Sequence, residues 1–515
     1  MNTRSRITGV IRLIACLSLT LVLLGYAGLI PLGRWQLDEF SELYKMRSTP
    51  LYFFERLSWS PRPISELLYG AYGWAVNHFH QPLIVPFLAL LWLILLFATL
   101  YTPAQRFFEQ RDRAWPIFLI SLTLLVLAVS GGDATEVFYW PAGAVAYIPT
   151  LAVTLLLFLQ VVDGRLATKK GRILASVCLV IAATCTEAGA TFVFSYGLVQ
   201  LFQRCREAWQ KKTGADRRPV LWISIPLSIA AVVLVAVRMN RFRSNEVVAD
   251  QLAAGHPVKS IVASFKEMAF EIYGRGILAR TYHQFPNPHT WLHSGMHLPL
   301  EILAGSHLWM EVLLLVSVLL MWTGVQRPEK RTIQQILELC TALMATALFI
   351  IAAANLHFGV TCCERHELLR ESWWNMILVG LAIAGASWLS DAHRQRITRL
   401  TPIAPLVLLL SVLSLGIIGP LRRTYQAYAI LREATLQNSE SGFHYGSDRM
   451  SLSILPSEGI ITEEAIQAGV YHSGVAINRF DLDVYPYYVL RFFGKQTIVI
   501  YHLVVPGDAA APEKN

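Results

Sequence analysis

Apolar residues run along this chain in long uninterrupted blocks, parted by short basic or mixed segments. The blocks fall at about 7–30, 82–101, 114–130, 141–162, 173–203, 220–237, 308–324, 333–354, 372–390 and 401–420. All but 173–203 are of a length that suits one α-helix crossing a hydrocarbon layer of about 30 Å. The block 173–203 differs because both of its flanks are basic. Arg165, Lys169, Lys170 and Arg172 precede it, and Arg204, Arg206, Lys211, Lys212, Arg217 and Arg218 follow it. Basic residues stay on the cytoplasmic side of short loops, so both flanks belong in the cytoplasm. The block therefore predicts two short helices turning near Cys185-Thr186-Glu187-Ala188-Gly189.

That reading gives about eleven crossings, with the N-terminus inside and the C-terminus outside. The short cytoplasmic segments hold 21 Lys and Arg, whereas the outer loops 131–140, 186–188 and 355–371 hold only Arg365 and Arg370. A bias of this size fixes orientation. The first block follows Arg4 and Arg6 as in a signal peptide, but it is long enough to span and no small-residue cleavage site follows. An uncleaved anchor is expected.

Three long segments then lie outside: 31–81, 238–307 and 421–515. Trp35, Trp59 and Trp74 in the first suit the headgroup level. The second contains an amphipathic pattern at 258–278, with Ile261, Val262, Phe265, Met268, Ala269 and Ile272 at helical spacing after Pro257. The third reads as a helix at 421–437, a short helix at 485–493 stopped by Gly494, and a β-rich run at 496–505. The expected organisation is an all-α polytopic transmembrane domain over 1–420 and a small α/β extracytoplasmic domain over 421–515.

Composition agrees with the pattern. The chain is 54% hydrophobic and 15% charged, with a mean hydropathy of +0.45. The net charge of +9 is carried largely by topology-setting loops, so nucleic acid is not an expected partner. Cys16, Cys178, Cys185 and Cys340 fall in or beside apolar blocks as packing residues, and the vicinal Cys362-Cys363 carries no zinc or disulfide pattern.

Candidate chemistry gathers at the outer edge. Asp38-Glu39 follows the first crossing, where a carboxylate can act as general base for a hydroxyl, bind a metal, or simply be an exposed loop acid. Arg62, between Pro61 and Pro63, sits in a stiff extended turn, from which a guanidinium can clamp phosphate oxygens or snorkel to headgroups. Glu187, between two apolar helices, is costly unless it reaches water or a partner. Tyr139, Trp140 and Tyr147 open the fourth crossing, as lining of a sugar or lipid groove or as an aromatic belt. Arg365 and Arg370 lie in an outer cluster with His357, Glu364, His366 and Glu367, suited to phosphate but poorly spaced for a metal. His283, His289, His293 and His297 are scattered among prolines and give a weak metal pattern. A P-loop, GxGxxG after a strand, HExxH and GxSxG are all missing from the sequence.

Together, Asp38-Glu39, Trp59-Ser60-Pro61-Arg62-Pro63, the stretch from Tyr139-Trp140-Pro141 to Tyr147, and Glu187 resemble the GT-C glycosyltransferases, with the nearest likeness to bacterial O-antigen glucosyltransferase-like members. The stretch 485–500 looks like the end of such a family's outer domain. The resemblance implies a multi-pass enzyme of the bacterial cytoplasmic membrane that moves a sugar from a polyprenyl-phosphate donor to a glycan or lipid acceptor. It would make Asp38 the base, Glu39 its neighbour or a metal ligand, and Arg62, Arg365 and Arg370 the phosphate contacts. Tyr139, Trp140, Tyr147 and Glu187 would complete the substrate site. A divalent cation is compatible with this chemistry but not required by the sequence. Two other readings stay open: an O-antigen polymerase or ligase using the 238–307 loop, and a transporter or flippase.

Overall fold

The computed structural model describes residues 3–35, 37–49, 51–60, 62–109, 113–131, 137–209, 306–358, 364–413, 440–443, 449–454, 470–472, 491–493 and 497–502, with Leu421, Arg422, Tyr425, Val489 and Lys495. The apolar blocks within these ranges are helical. The helices are α1 (Thr3–Ala27), α2 (Leu37–Ser48), α3 (Tyr52–Trp59), α4 (Pro63–Phe79), α5 (Ile84–Phe108), α6 (Ala114–Val129) and α7 (Pro141–Val162). They continue with α8 (Lys169–Cys185), α9 (Glu187–Trp209), α10 (Ser306–Thr323), α11 (Lys330–Phe358), α12 (Glu364–Trp388), α13 (Asp391–Thr398) and α14 (Ala404–Leu413).

Among the described residues four helical stretches are long and apolar enough to cross a membrane: Ile7–Leu32, Ile84–Phe108, Pro141–Val162 and Lys330–Ile350. The bent pair Leu368–Trp388 and Asp391–Thr398 makes a fifth if it counts as one span. Ala114–Val129, Trp309–Thr323 and Thr401–Leu413 are shorter apolar helices. The block 220–237, the 258–278 pattern and the four histidines at 283–297 lie outside the described residues, as does Cys362-Cys363.

The centre of the bundle is α7, whose side chains are nearly all buried. It packs against α4, α5, α8, α11 and α12, so it needs no polar face. Pro141 occupies its first turn, where the missing N–H costs nothing. By contrast α1 and α5 keep one apolar stripe outward: Leu13, Leu17, Leu21, Leu24, Leu93 and Phe97 are exposed. Large exposed leucines on long helices are expected where lipid replaces water.

The expected turn inside 173–203 falls at Thr186. Thr186 is the one extended residue between α8 and α9. Its hydroxyl accepts the Gly189 N–H at 2.9 Å and caps α9. The two helices pack on one another, and Gly189 comes so close to α8 that an added Cβ would sit 2.1 Å from the Ala182 carbonyl oxygen.

The segment 31–81 is more ordered than a loop, since α2, α3 and α4 fill it. Their cohesion is ionic. Arg56 pairs with both Glu42 and Glu66, Tyr52 donates to Glu42, and Ser60 donates to Glu66 at 2.8 Å. Trp35 corrects a sequence expectation: it is buried rather than interfacial, and its indole N–H donates to the Tyr72 hydroxyl at 2.7 Å. Trp74 is exposed and stacks on His78.

The tail is seated on this same segment. Phe443, Phe492 and Phe493 form one aromatic cluster with Phe40 of α2, and Phe492 also meets Trp35. Arg47 donates to the Arg491 carbonyl at 3.0 Å. Beyond it, β1 (Arg449–Ile454), β2 (Val470–His472) and β3 (Thr497–His502) make a sheet of order β1-β3-β2, with β1 parallel and β2 antiparallel to β3. The last of these lies within the β-rich run at 496–505.

The opposite end of the bundle is tied by arginines, of which Arg106 is buried. Arg106 and Arg165 both pair with Asp163 at the end of α7, and Glu109 joins Arg165 at 2.7 Å. Burial pushes the Asp163 carboxyl up, and the two guanidinium groups oppose that shift. Arg394 donates to the carbonyls of Thr323, the last residue of α10, and of Val325 just beyond it, and Arg113 donates to the Gln326 carbonyl. Cations at these C-terminal carbonyls satisfy groups that the helices leave open.

Candidate functional site

The end of the bundle opposite Arg106 collects the starts of several helices. Arg62 stands immediately before α4, outside helical geometry (φ −121°, ψ 69°), with Pro63 opening the helix. Pro63 disfavours the helical region for Arg62, which keeps it outside the helix, although its ψ falls short of the extended backbone that the sequence suggests. Ser65, one turn further, donates to the Cys185 carbonyl at 2.8 Å and lies 3.2 Å from that of Val145. One hydroxyl thus holds the start of α4 against α7 and the end of α8.

This contact brings Arg62 to Glu187. The guanidinium Nε is 3.0 and 2.9 Å from the two carboxylate oxygens, and one terminal nitrogen is 2.8 Å from Oε2. Both side chains are 20% exposed. The carboxylate also stands in the first turn of α9, where the helix dipole favours negative charge. A forked contact of this kind is among the stronger charge-assisted pairs.

Glu39 is fully buried, and its carboxylate accepts the Ala142 N–H at 3.1 Å. It thereby serves an open amide in the first turn of α7, which is the geometry of a helix cap rather than of a solvent-facing ligand. Its charge reaches Tyr72: burial first, and Glu39 after it, push that hydroxyl well above its ordinary range, while the Trp35 hydrogen bond pulls it down. The backbone of Asp38 lies in the first turn of α2, and its side chain is outside the described ones.

Tyr139 and Trp140 are inside the packing rather than at a groove surface. The Tyr139 hydroxyl donates to the Tyr26 carbonyl at 2.8 Å, and its ring meets Trp92. Tyr147 is also buried, with its ring centroid 5.7 Å from that of His366 on α12. One turn along α7, the Thr150 hydroxyl lies 3.1 Å from that of Thr186. His366 and Glu187 therefore flank neighbouring turns of α7.

The cluster read as part of an outer loop is instead the start of a helix. Because α12 begins at Glu364, Arg365, His366 and Arg370 occupy its first two turns. Arg370 is half-buried, and the Arg365 side chain is outside the described ones. The sequence reasoning missed the Arg56, Glu42 and Glu66 network beneath the site, and it missed His366 as a neighbour of Tyr147. The Glu42–Lys45 pair at i,i+3 was the one local charge signal available.

Among the described residues no three His, Cys, Asp or Glu side chains group as a metal site. Arg62 and Arg370 are the cations among the predicted residues at this end that are described, and the chemistry they suit is recognition of an anion. The described residues are mostly helical, with four or five stretches apolar enough to cross a membrane, an architecture compatible with an α-helical membrane protein. Comparison with protein-family models, with curated proteins and with solved structures finds no match for this chain.

Proposed function

We propose that this chain is a polytopic glycosyltransferase of the bacterial cytoplasmic membrane. It moves a sugar from a polyprenyl-phosphate donor to an envelope glycan or lipid acceptor at the outer face. About eleven crossings, with the N-terminus inside, place the Arg62 end outside, and the tail forms a small α/β domain there. The observation that carries the reading is the meeting of Arg62 and Glu187 beside the buried starts of α4, α7 and α9. A phosphate leaving group needs fixed positive charge, and an acceptor hydroxyl needs a base. Arg62 and Arg370 supply the first, and Asp38 supplies the second. Glu39 then holds α2 to α7 beside that base, with no metal required.

The test compares envelope glycans of a deletion strain by mass spectrometry after complementation with native protein or Asp38→Asn at matched membrane abundance. Loss of one sugar unit on deletion, restored only by the native chain, is expected. Full restoration by Asp38→Asn removes the proposed base, and an unchanged glycan profile on deletion removes the transferase.

One observation favours a transporter as the second reading. Glu338 is buried within the apolar stretch Lys330–Ile350, accepting from Gln334 at 3.1 Å, and buried carboxylates inside spanning helices often mark transport paths. Glu338→Gln separates the readings, since a transferase working at the other end keeps its glycan product.

A further inference from the structure

We propose that the Glu187 carboxylate is a resident stand-in for a phosphate group, and that a phosphate ester binds by displacing it from Arg62. The inference rests on the proposed function only for the identity of the lipid that carries the phosphate.

Arg62 cannot shed its charge, so it favours an anionic partner. Without substrate that anion is Glu187, which presents two oxygens to the guanidinium at 2.8–3.0 Å. A phosphate presents the same pair of oxygens to the same fork. Three features make exchange feasible here and not at the buried pairs of Arg56 and Arg106. First, both partners are 20% exposed, whereas Arg106 and Asp163 are 6% and 0% exposed and Arg56 and Glu66 are 12% and 4%. Water and a ligand headgroup reach the first pair and not these two.

Second, the backbone on each side is already fixed. Pro63 starts α4, the Arg62 N–H donates to the Ser60 carbonyl at 2.7 Å, and the Thr186 hydroxyl caps α9. Only the two side chains need to move. Third, Glu187 in the first turn of α9 keeps the favourable helix dipole after it leaves Arg62. The same two helix starts, α4 and α9, offer that potential to an incoming phosphate.

A competing carboxylate lowers apparent affinity by the fraction of time that Arg62 is free. Removing its charge while keeping its shape therefore strengthens binding. The experiment measures binding of geranyl monophosphate to the purified full-length protein in detergent by titration calorimetry. Glu187→Gln is expected to bind at least about 3-fold tighter than native protein, and Arg62→Gln at least about 10-fold weaker. Arg62→Lys replaces Arg62→Gln if the latter is not monodisperse, with weaker binding again expected because the fork is lost.

Inorganic phosphate and dihexanoyl phosphatidylglycerol are titrated beside it. Binding of geranyl monophosphate alone, with the variant pattern, assigns the anion to a lipid monoester. Equal binding of inorganic phosphate assigns it to a soluble phosphate, and equal binding of the diester assigns it to a phospholipid headgroup. Each of these supports exchange. Weaker binding in Glu187→Gln makes Glu187 a positioning residue for Arg62 and overturns it, as does equal affinity in all variants or absence of binding by every probe. The glycan assay fails separately, since exchange can hold where no glycan changes, and a glycan can depend on Asp38 where Arg62 binds no phosphate.

Discussion

Arg62 and Glu187 lie 125 residues apart in the chain and meet as a forked ion pair at the break between α8 and α9. The pair joins α4 to α9 where no backbone hydrogen bond does. Its partial exposure limits its contribution to roughly 1 kcal/mol, as for other solvent-accessible pairs. Arg62→Ala and Glu187→Ala should each lower the unfolding temperature slightly in detergent, with the double variant scarcely lower than either. An additive double variant would show that the two side chains do not interact in solution.

A far larger loss is expected at the other end of the bundle. Asp163 is fully buried between Arg106 and Arg165. Asp163→Asn leaves the buried Arg106 with only Glu109 among the described carboxylates, 3.4 Å away, and breaking a buried pair costs up to about 3–5 kcal/mol. Glu109, one-third exposed, should tolerate Glu109→Gln with less than about 1 kcal/mol of loss. Fluorescence-detected size exclusion after heating ranks the two variants, and equal melting of both would refute the clamp.

Glycine at position 189 is demanded by the packing of α9 on α8. A Cβ there would lie 2.1 Å from the Ala182 carbonyl oxygen, a backbone atom that cannot swing aside. Gly189→Ala must therefore push the two helices apart at the Thr186 turn, at a cost of about 1–3 kcal/mol. Gly9→Ala provides the contrast, since nothing lies within 4 Å of its added Cβ, and it should melt like native protein or slightly above it. The prediction fails if the two substitutions have equal effects.

The Thr186 turn was readable from sequence because charge, not hydropathy, announced it. Arg172 and Arg204 flank a block too uniform in apolar character to reveal a break by itself. The helix start at Pro141 was readable for a simpler reason: the apolar block begins there, and proline suits the first turn of a helix. Helices α2, α3 and α4 were not readable. Their polar residues Glu42, Arg56 and Glu66 look like solvated charges in sequence, and only the fold brings them into contact. The same limit hid the burial of Trp35 and Tyr139, whose polar tips suit a membrane interface as well as they suit Tyr72 and the Tyr26 carbonyl. Of the site, Arg62 was legible as a phosphate clamp or a snorkelling residue and Glu187 as a costly charge, but nothing in the sequence paired them.

Orientation is checked by Cys205, an exposed free thiol near the end of α9, while Cys16, Cys178, Cys185 and Cys340 are buried. It belongs to the stretch flanked by Arg204 and Arg206, which the positive-inside rule assigns to the cytoplasm. A membrane-impermeant maleimide should modify the Cys205 peptide in inverted vesicles and leave it unmodified in intact spheroplasts, as read by mass spectrometry. Modification from the outside alone would turn the bundle over. The Arg62 end would then face the cytoplasm, where nucleotide-activated donors are present and a polyprenyl-phosphate donor is no longer required by location. Labelling only in inverted vesicles leaves Arg62 and Glu187 facing the outer side, where the proposed transferase would have to draw its energy from a lipid phosphoester because nucleotides are not supplied there.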